Sequence, residues 1–82
     1  GIITQSFPVE ATLGGDMKSA IVIVDPSSQG KGLRINMFFP RAQDHPNVQR
    51  MGDIIRLFNV KISAYKGVLC GTMQRSIGSK FE

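Results

Sequence analysis

The sequence predicts an all-β domain, a small five-stranded Greek-key barrel with a short helix between its third and fourth strands. Three observations point there. Apolar residues fall in strand-length runs, the longest being Ala20 to Val24, and β-branched runs of that length read as strands. Clusters of Gly, Pro, Asp and Ser separate them, which is the chemistry of tight reversals. One polar connector, residues 40–51, interrupts the series after the third strand; its spaced apolar residues and its Pro46 suit a short helix or helical turn.

The elements follow in order. GIITQSF, residues 1–7, alternates weakly and is expected to be a strand ending at Pro8. Gly14-Gly15-Asp16 is a loop with freely chosen backbone angles. MKSAIVIVD, 17–25, is a central strand, and DPSSQGKG, 25–32, is turn chemistry throughout. In LRINMFF, 33–39, Leu33, Ile35 and Met37 share one face while Arg34, Asn36 and Phe38 share the other, as in the hairpin partner of the preceding strand. Gly52-Asp53 turns the chain into GDIIRLFNVKISAYKG, 52–67. A loop is expected from Gly67 through Gly71, and IGSKFE, 77–82, is expected to begin the fifth strand. Strands in this order, with a helical element between the third and fourth, match an OB-fold, a partly open Greek-key barrel.

The 52–67 segment changes phase. Ile55 and Leu57 are apolar at odd positions; Val60, Ile62 and Ala64 are apolar at even ones. A one-residue insertion in an antiparallel strand exchanges the faces of all later side chains. The expected site is Phe58-Asn59, with Ile55 and Leu57 inward before it and Val60, Ile62 and Ala64 inward after it. Phe58 is then left over and displayed.

Eighty-two residues make one small domain, 1–82, of modest core. The strands expected to close the barrel are cut short, so the domain is expected to extend past both ends. No apolar run approaches the roughly 20 residues of a membrane helix. Cys70 is the only cysteine, so there is no internal disulfide framework. The net charge of +4 suits a polyanionic partner, and its distribution says more than its sum. Between Arg56 and Lys80 lie five cations and no acid, whereas Glu10, Asp16 and Asp25 fall in the first third.

Catalytic and metal patterns are missing. His45 is the only histidine and sits in a polar connector, where a surface position is expected. One His and one Cys make no zinc site, so no cofactor is expected. Gly30-Lys31 lacks the Ser or Thr and the first Gly of a phosphate loop. No enzyme is implied.

Single-stranded nucleic acid is held by cations that track phosphates and by flat side chains that stack on bases. Tyr65 beside Lys66, with Lys61 on the same strand, offers both, and Phe38 shares a face with Arg34 and Asn36. Taken alone, Tyr65 reads as a strand-end residue, Phe38 as a ring under the connector, and the lysines as a solvated face. Together on an OB-like strand order they read as a binding surface.

Residues 46–71 carry a more specific pattern: Pro46, Val48, Gly52-Asp53-Ile54-Ile55-Arg56, Val60-Lys61-Ile62, Tyr65-Lys66 and Gly71. In this spacing the segment resembles the fourth-strand region of the first OB-fold of the protection-of-telomeres, or telomere end-binding, family. IVIVD, 21–25, resembles that family's second strand, LRINMF, 33–38, its third, and GIITQSFP, 1–8, the later half of its first. The resemblance implies binding of the single-stranded G-rich telomeric overhang at nuclear chromosome ends. It implies stacking or contact at Phe38, Tyr65 and Lys66, a loop glycine at Gly71, and loop contacts near Gly15 and Asp16. Gln5 stands where the family often stacks an aromatic, Phe58-Asn59 replaces a base-reading polar or basic pair, and Cys70 replaces a polar residue. Phe58 is then a substitute platform, with Asn36 and Asn59 reaching base edges and Lys61 and Lys66 meeting phosphates. The rival reading is an OB-fold that binds a protein subunit of a telomere complex and little DNA, which Gln5, Asn59 and Cys70 favour; an OB module without sequence preference is a third. Tyr65→Ala is expected to weaken binding of a G-rich single strand by at least about tenfold, roughly one stacked base, measured by gel shift against the folded parent.

Overall fold

A computed structural model of the chain describes residues 1–24, 32–46 and 52–82; the Tyr65 side chain also falls outside that description. The turn expected over 25–32 and the second half of the 40–51 connector therefore lie largely outside the described residues.

Alternation on the third strand organises the core. Ile35, Met37 and Phe39 are buried, while Arg34 is exposed and Asn36 and Phe38 are half-buried. This strand, β3 (Leu33–Phe39), pairs antiparallel with β2 (Met17–Val24), and β2 pairs with β1 (Ile2–Ala11). On its other side β3 pairs parallel with β6 (Val68–Gln74), which forms a hairpin with β5 (Lys61–Tyr65). The sheet order is thus β1-β2-β3-β6-β5, five strands as expected. Ile3, Ile21, Ile23, Ile35, Met37, Phe39, Ile55 and Met73 form its core, with Leu33, Leu57, Val60 and Phe81 packed against it. Each such side chain contributes about 1.5–3 kcal/mol when fully buried.

Several expectations change. β1 does not end at Pro8 but runs to Ala11. The register shifts between Phe7 and Glu10, so Pro8 sits at an irregularity on an edge strand, where its missing N–H is tolerated. Residues 68–71 are not a loop. They belong to β6, because the reversal takes only Lys66 and Gly67, whose φ values of 51° and 80° are those of a two-residue hairpin turn. The fifth strand is therefore β6 and not 77–82. That last segment supplies a shorter strand, β7 (Lys80–Phe81), paired with β4 (Leu57–Phe58). The expected helix is a single 3-10 turn, Ala42–Asp44, and the described residues contain 3-10 turns but no α-helix.

The phase change falls where expected, by a different device. Asn59 adopts φ 59°, a left-handed backbone uncommon outside glycine but tolerated by Asn. It divides the segment into stretches that pair with different partners. Before it, Ile54 bridges to Ile2, and Ile3 N donates to Asp53 O at 2.8 Å while Gly52 N donates to Ile3 O at 2.7 Å; these bonds fold the start of β1 onto the segment and close the barrel. Arg56 and Glu82 exchange backbone hydrogen bonds at 2.9 and 3.0 Å, leading into the β4–β7 pair. After Asn59 the chain joins β6. Ile55 is buried, and Leu57 and Val60 pack on the core as expected. Ile62 and Ala64 do not follow: Ile62 is 51% exposed and Ala64 is exposed, because the β5–β6 hairpin carries them past the core residues.

His45 is not at the surface. It is 6% exposed, its Nδ1 shares a 2.6 Å hydrogen bond with Ser19 Oγ, and its ring meets Phe39 edge-on at 5.3 Å. Reversal of the chain after Pro40 turns it back under β2, and Ser19 supplies the partner a buried imidazole nitrogen requires.

Gly71 packs where a side chain would not fit. A Cβ there would lie 2.6 Å from Ile35 Cδ1 and 2.7 Å from Val60 Cγ1. Gly71→Ala is expected to destabilise the domain by about 1–3 kcal/mol through overpacking, read as a lower denaturant midpoint with an unchanged slope.

Candidate nucleic-acid interface

The registers assemble one continuous outer face. Side chains on one face of a sheet recur every second residue, so paired residues define rows across the strands. One row runs Gln5, Val22, Arg34, Cys70, Ser63; the next runs Phe7, Ala20, Asn36, Thr72, Lys61; a third runs Glu10, Lys18, Phe38, Gln74. Of the residues singled out in the sequence, Gln5, Arg34, Asn36, Phe38 and Lys61 thus share one surface. Tyr65 pairs with Val68 two positions along β5 from Ser63, next to the turn that holds the exposed Lys66; the ring itself lies outside the described residues.

Aromatic rings on this face carry cations. Lys18 Nζ lies 5.8 Å from the Phe38 ring centroid. Arg34 Cζ lies 4.7 Å from the centre of Phe7, and Arg34 Nε donates to Asn36 Oδ1 at 3.1 Å. A cation over a ring is attracted by the ring's quadrupole, which draws a flat apolar surface and a phosphate partner to one point. The three rows contain three cations, Lys18, Arg34 and Lys61, against one acid, Glu10, so the face is net positive.

Phe7 and Lys18 escaped the sequence reading. Phe7 lies inside the expected strand 1–7, two residues beyond Gln5 and so on the same face, but the weak alternation there did not single it out. It is 41% exposed. Ala20, between Phe7 and Asn36 in its row, is 2% exposed, and its small side chain leaves room for the Phe7 ring to lean toward Arg34. Lys18 is found by the same alternation, in step with Ala20 and Val22.

Other singled-out residues lie elsewhere. Gly71 pairs with Ile35 and Ile62 on the inner side of the sheet and is buried there, not in a loop. Asn59 commits its amide to the chain: Nδ2 donates to Gly78 O at 3.0 Å, and Ser79 Oγ donates to Asn59 O at 2.6 Å. Phe58 belongs to the two-stranded sheet, half-buried, with Lys80 Nζ 5.4 Å from its ring. Asp16 lies in the β1–β2 loop, where its carbonyl accepts from Thr12 N at 3.1 Å and Thr12 Oγ1 at 2.6 Å; its carboxylate is exposed. Among the described residues, no group of His, Cys, Asp and Glu could hold a metal ion. The Ser19–His45 pair is buried.

A small barrel of this strand order is an OB-fold, and cations beside aromatic rings on its sheet are the parts that hold single-stranded nucleic acid. The chain belongs to the telomeric single-stranded DNA binding POT1/CDC13 family, whose profile matches residues 1–81. Among solved structures it is similar to the OB domain of Ta0387 from Thermoplasma acidophilum, determined in solution by NMR, with a TM-score of 0.63 and 19% identity over 100% of this chain and 68% of that one; at that identity the likeness is one of fold. No curated protein matches the chain.

Phe7→Leu keeps an apolar cover over Ala20 and removes the flat ring. The variant is expected to melt close to the parent and to bind single-stranded DNA about fivefold or more weakly, the lower end of one lost stack; thermal unfolding and fluorescence anisotropy read the two separately.

Proposed function

We propose that this domain binds the single-stranded G-rich overhang of telomeres on the outer sheet face and so serves at chromosome ends in the nucleus, without catalysis and without a cofactor. The observation that carries the reading is the convergence of Phe7, Arg34, Asn36, Phe38, Lys18 and Lys61 in adjacent rows of one sheet, in a chain of a telomeric single-stranded-DNA-binding family. Phe38 and Phe7 stack bases, each backed by its cation. Lys61, across Thr72 from Asn36, meets phosphate. Asn36, oriented by Arg34, reaches a base edge. Tyr65 and Lys66 extend the surface along the hairpin. The Ser19–His45 bond serves the core. Residues 1–82 act as one binding unit.

A second reading rests on one feature of the hairpin. Ile62 and Leu69, on the inner side of the β5–β6 hairpin, are 51% and 59% exposed, and Val68 is 67% exposed. An apolar strip of this kind at a sheet edge suits a protein subunit of a telomere complex.

Titration of the domain with a telomeric G-rich strand and its scrambled counterpart separates the readings. Preferential binding of the G-rich strand is expected, weakened at least about fivefold by Phe38→Ala, with a log–log salt slope of about −0.7 for each phosphate neutralised. Equal, salt-sensitive binding of both strands would leave a DNA-binding module without sequence preference, and undetectable binding of both would leave the protein-binding reading.

A further inference from the structure

A second basic surface lies outside the sheet face. Strands β3 and β6 end side by side, at the paired Phe38 and Gln74. Just beyond, a cleft of about 580 Å³ opens between Arg41, Asp44, Arg75, Ser79, Lys80 and Phe81. Three of these are cations and one is an acid, an excess of two positive charges. The acid is already committed, since Asp44 pairs with Arg41 at 3.3 Å. Among the described residues, neither Arg75 nor Lys80 has a carboxylate partner.

The rim is held in place. Gly78 N donates to Arg75 O at 3.0 Å, closing the 3-10 turn Arg75–Ile77. Ser79 Oγ accepts from Gln74 N at 3.1 Å and donates to Asn59 O at 2.6 Å, while Asn59 Nδ2 donates to Gly78 O at 3.0 Å. The left-handed Asn59 thus staples the turn that carries Arg75. Lys80 lies over the half-buried Phe58 ring, repeating the cation–ring pairing of the sheet face. The half-buried Phe81 gives the cleft an apolar wall.

We infer that this cleft takes the continuation of the bound single strand, with Arg75 and Lys80 meeting the phosphates of nucleotides that have passed beyond Phe38. The inference rests on the sheet-face reading, because the strand reaches the cleft by way of Phe38. A preorganised pair of uncompensated cations at the end of the strands suits a polyanion in extended form, which a free anion or a phosphoprotein would not follow past the ring.

Two oligonucleotides of the same G-rich repeat test this, about five and about ten nucleotides long, both within the site sizes of one OB-fold. In the parent, lengthening is expected to tighten binding at least tenfold by fluorescence anisotropy. Arg75→Ala/Lys80→Ala is expected to abolish that gain, to leave the short strand bound as in the parent, and to lower the salt slope for the long strand by about 1.4, two phosphates at about 0.7 each. Arg75→Ala alone, at an exposed position, is expected to lower the slope by about half as much. In the unsubstituted protein, the Gly78 and Ser79 amide resonances are expected to shift with the long strand and not with the short one. A short strand that binds and a long strand that adds nothing in the parent overturns the cleft assignment and leaves the sheet face standing. So does a double variant that keeps the full gain and slope. No binding of either strand overturns both.

Discussion

The flush parallel pairing of β3 with β6 at Ile35 and Gly71 is the constraint on which the rest depends. Parallel strands need a long crossover to come together, and here the crossover includes the 3-10 turn, the closing segment 52–58 and β5. When the two strands meet, Ile35 occupies the space a Cβ at position 71 would claim. That contact sets the register, and the register aligns Arg34, Asn36 and Phe38 with Cys70, Thr72 and Gln74. A slip of one residue would turn Phe38's neighbours inward and Met73 outward. Core and outer face are therefore two consequences of one alignment.

Asn59 has a comparable influence at the other end of the segment. Its left-handed backbone lets one stretch of chain serve three partners: the start of β1, the short strand β7, and β6. Barrel closure needs the first, and the hairpin beside the sheet face needs the last. Its side chain and carbonyl also hold the Gly78–Ser79 turn, so the residue that breaks the strand anchors the C-terminal segment as well. Among the described residues, ring–cation pairs at Phe7, Phe38 and Phe58 recur on surfaces that this framework presents. Each of these rings has a cation 4.7 to 5.8 Å from its centre, which places a charge beside an apolar surface.

Strand alternation, the Gly and Pro punctuation and the phase change at 58–59 were legible in the sequence, because each is a local property with a period or a turn signature. The outward set Arg34, Asn36 and Phe38 followed from the same alternation. What escaped depended on partners. Pro8 looked like a strand end, yet a register shift on an edge strand accommodates it; Phe7, inside the expected strand, is marked only by the Arg34 that the register brings to its ring. Gly67 through Gly71 looked like a loop, since glycine favours turns, whereas Gly71 is demanded by close approach inside the sheet. His45, in a polar stretch, looked like a surface residue, whereas Ser19, far away in the chain, lets it be buried. Asn59 looked free to read a base, and its amide is bound to Gly78.

By itself the sequence determined the fold class, the strand faces, the excess of cations after residue 56, and a spacing in 46–71 shared with a telomeric family. These depend on neighbours within a few positions, where periodicity and turn chemistry act. Only the tertiary structure decided which strands pair in parallel, which ring meets which cation, and which polar side chains are consumed by the framework. Those are contacts between residues far apart in the chain, and they exist only once register and closure have brought the residues together.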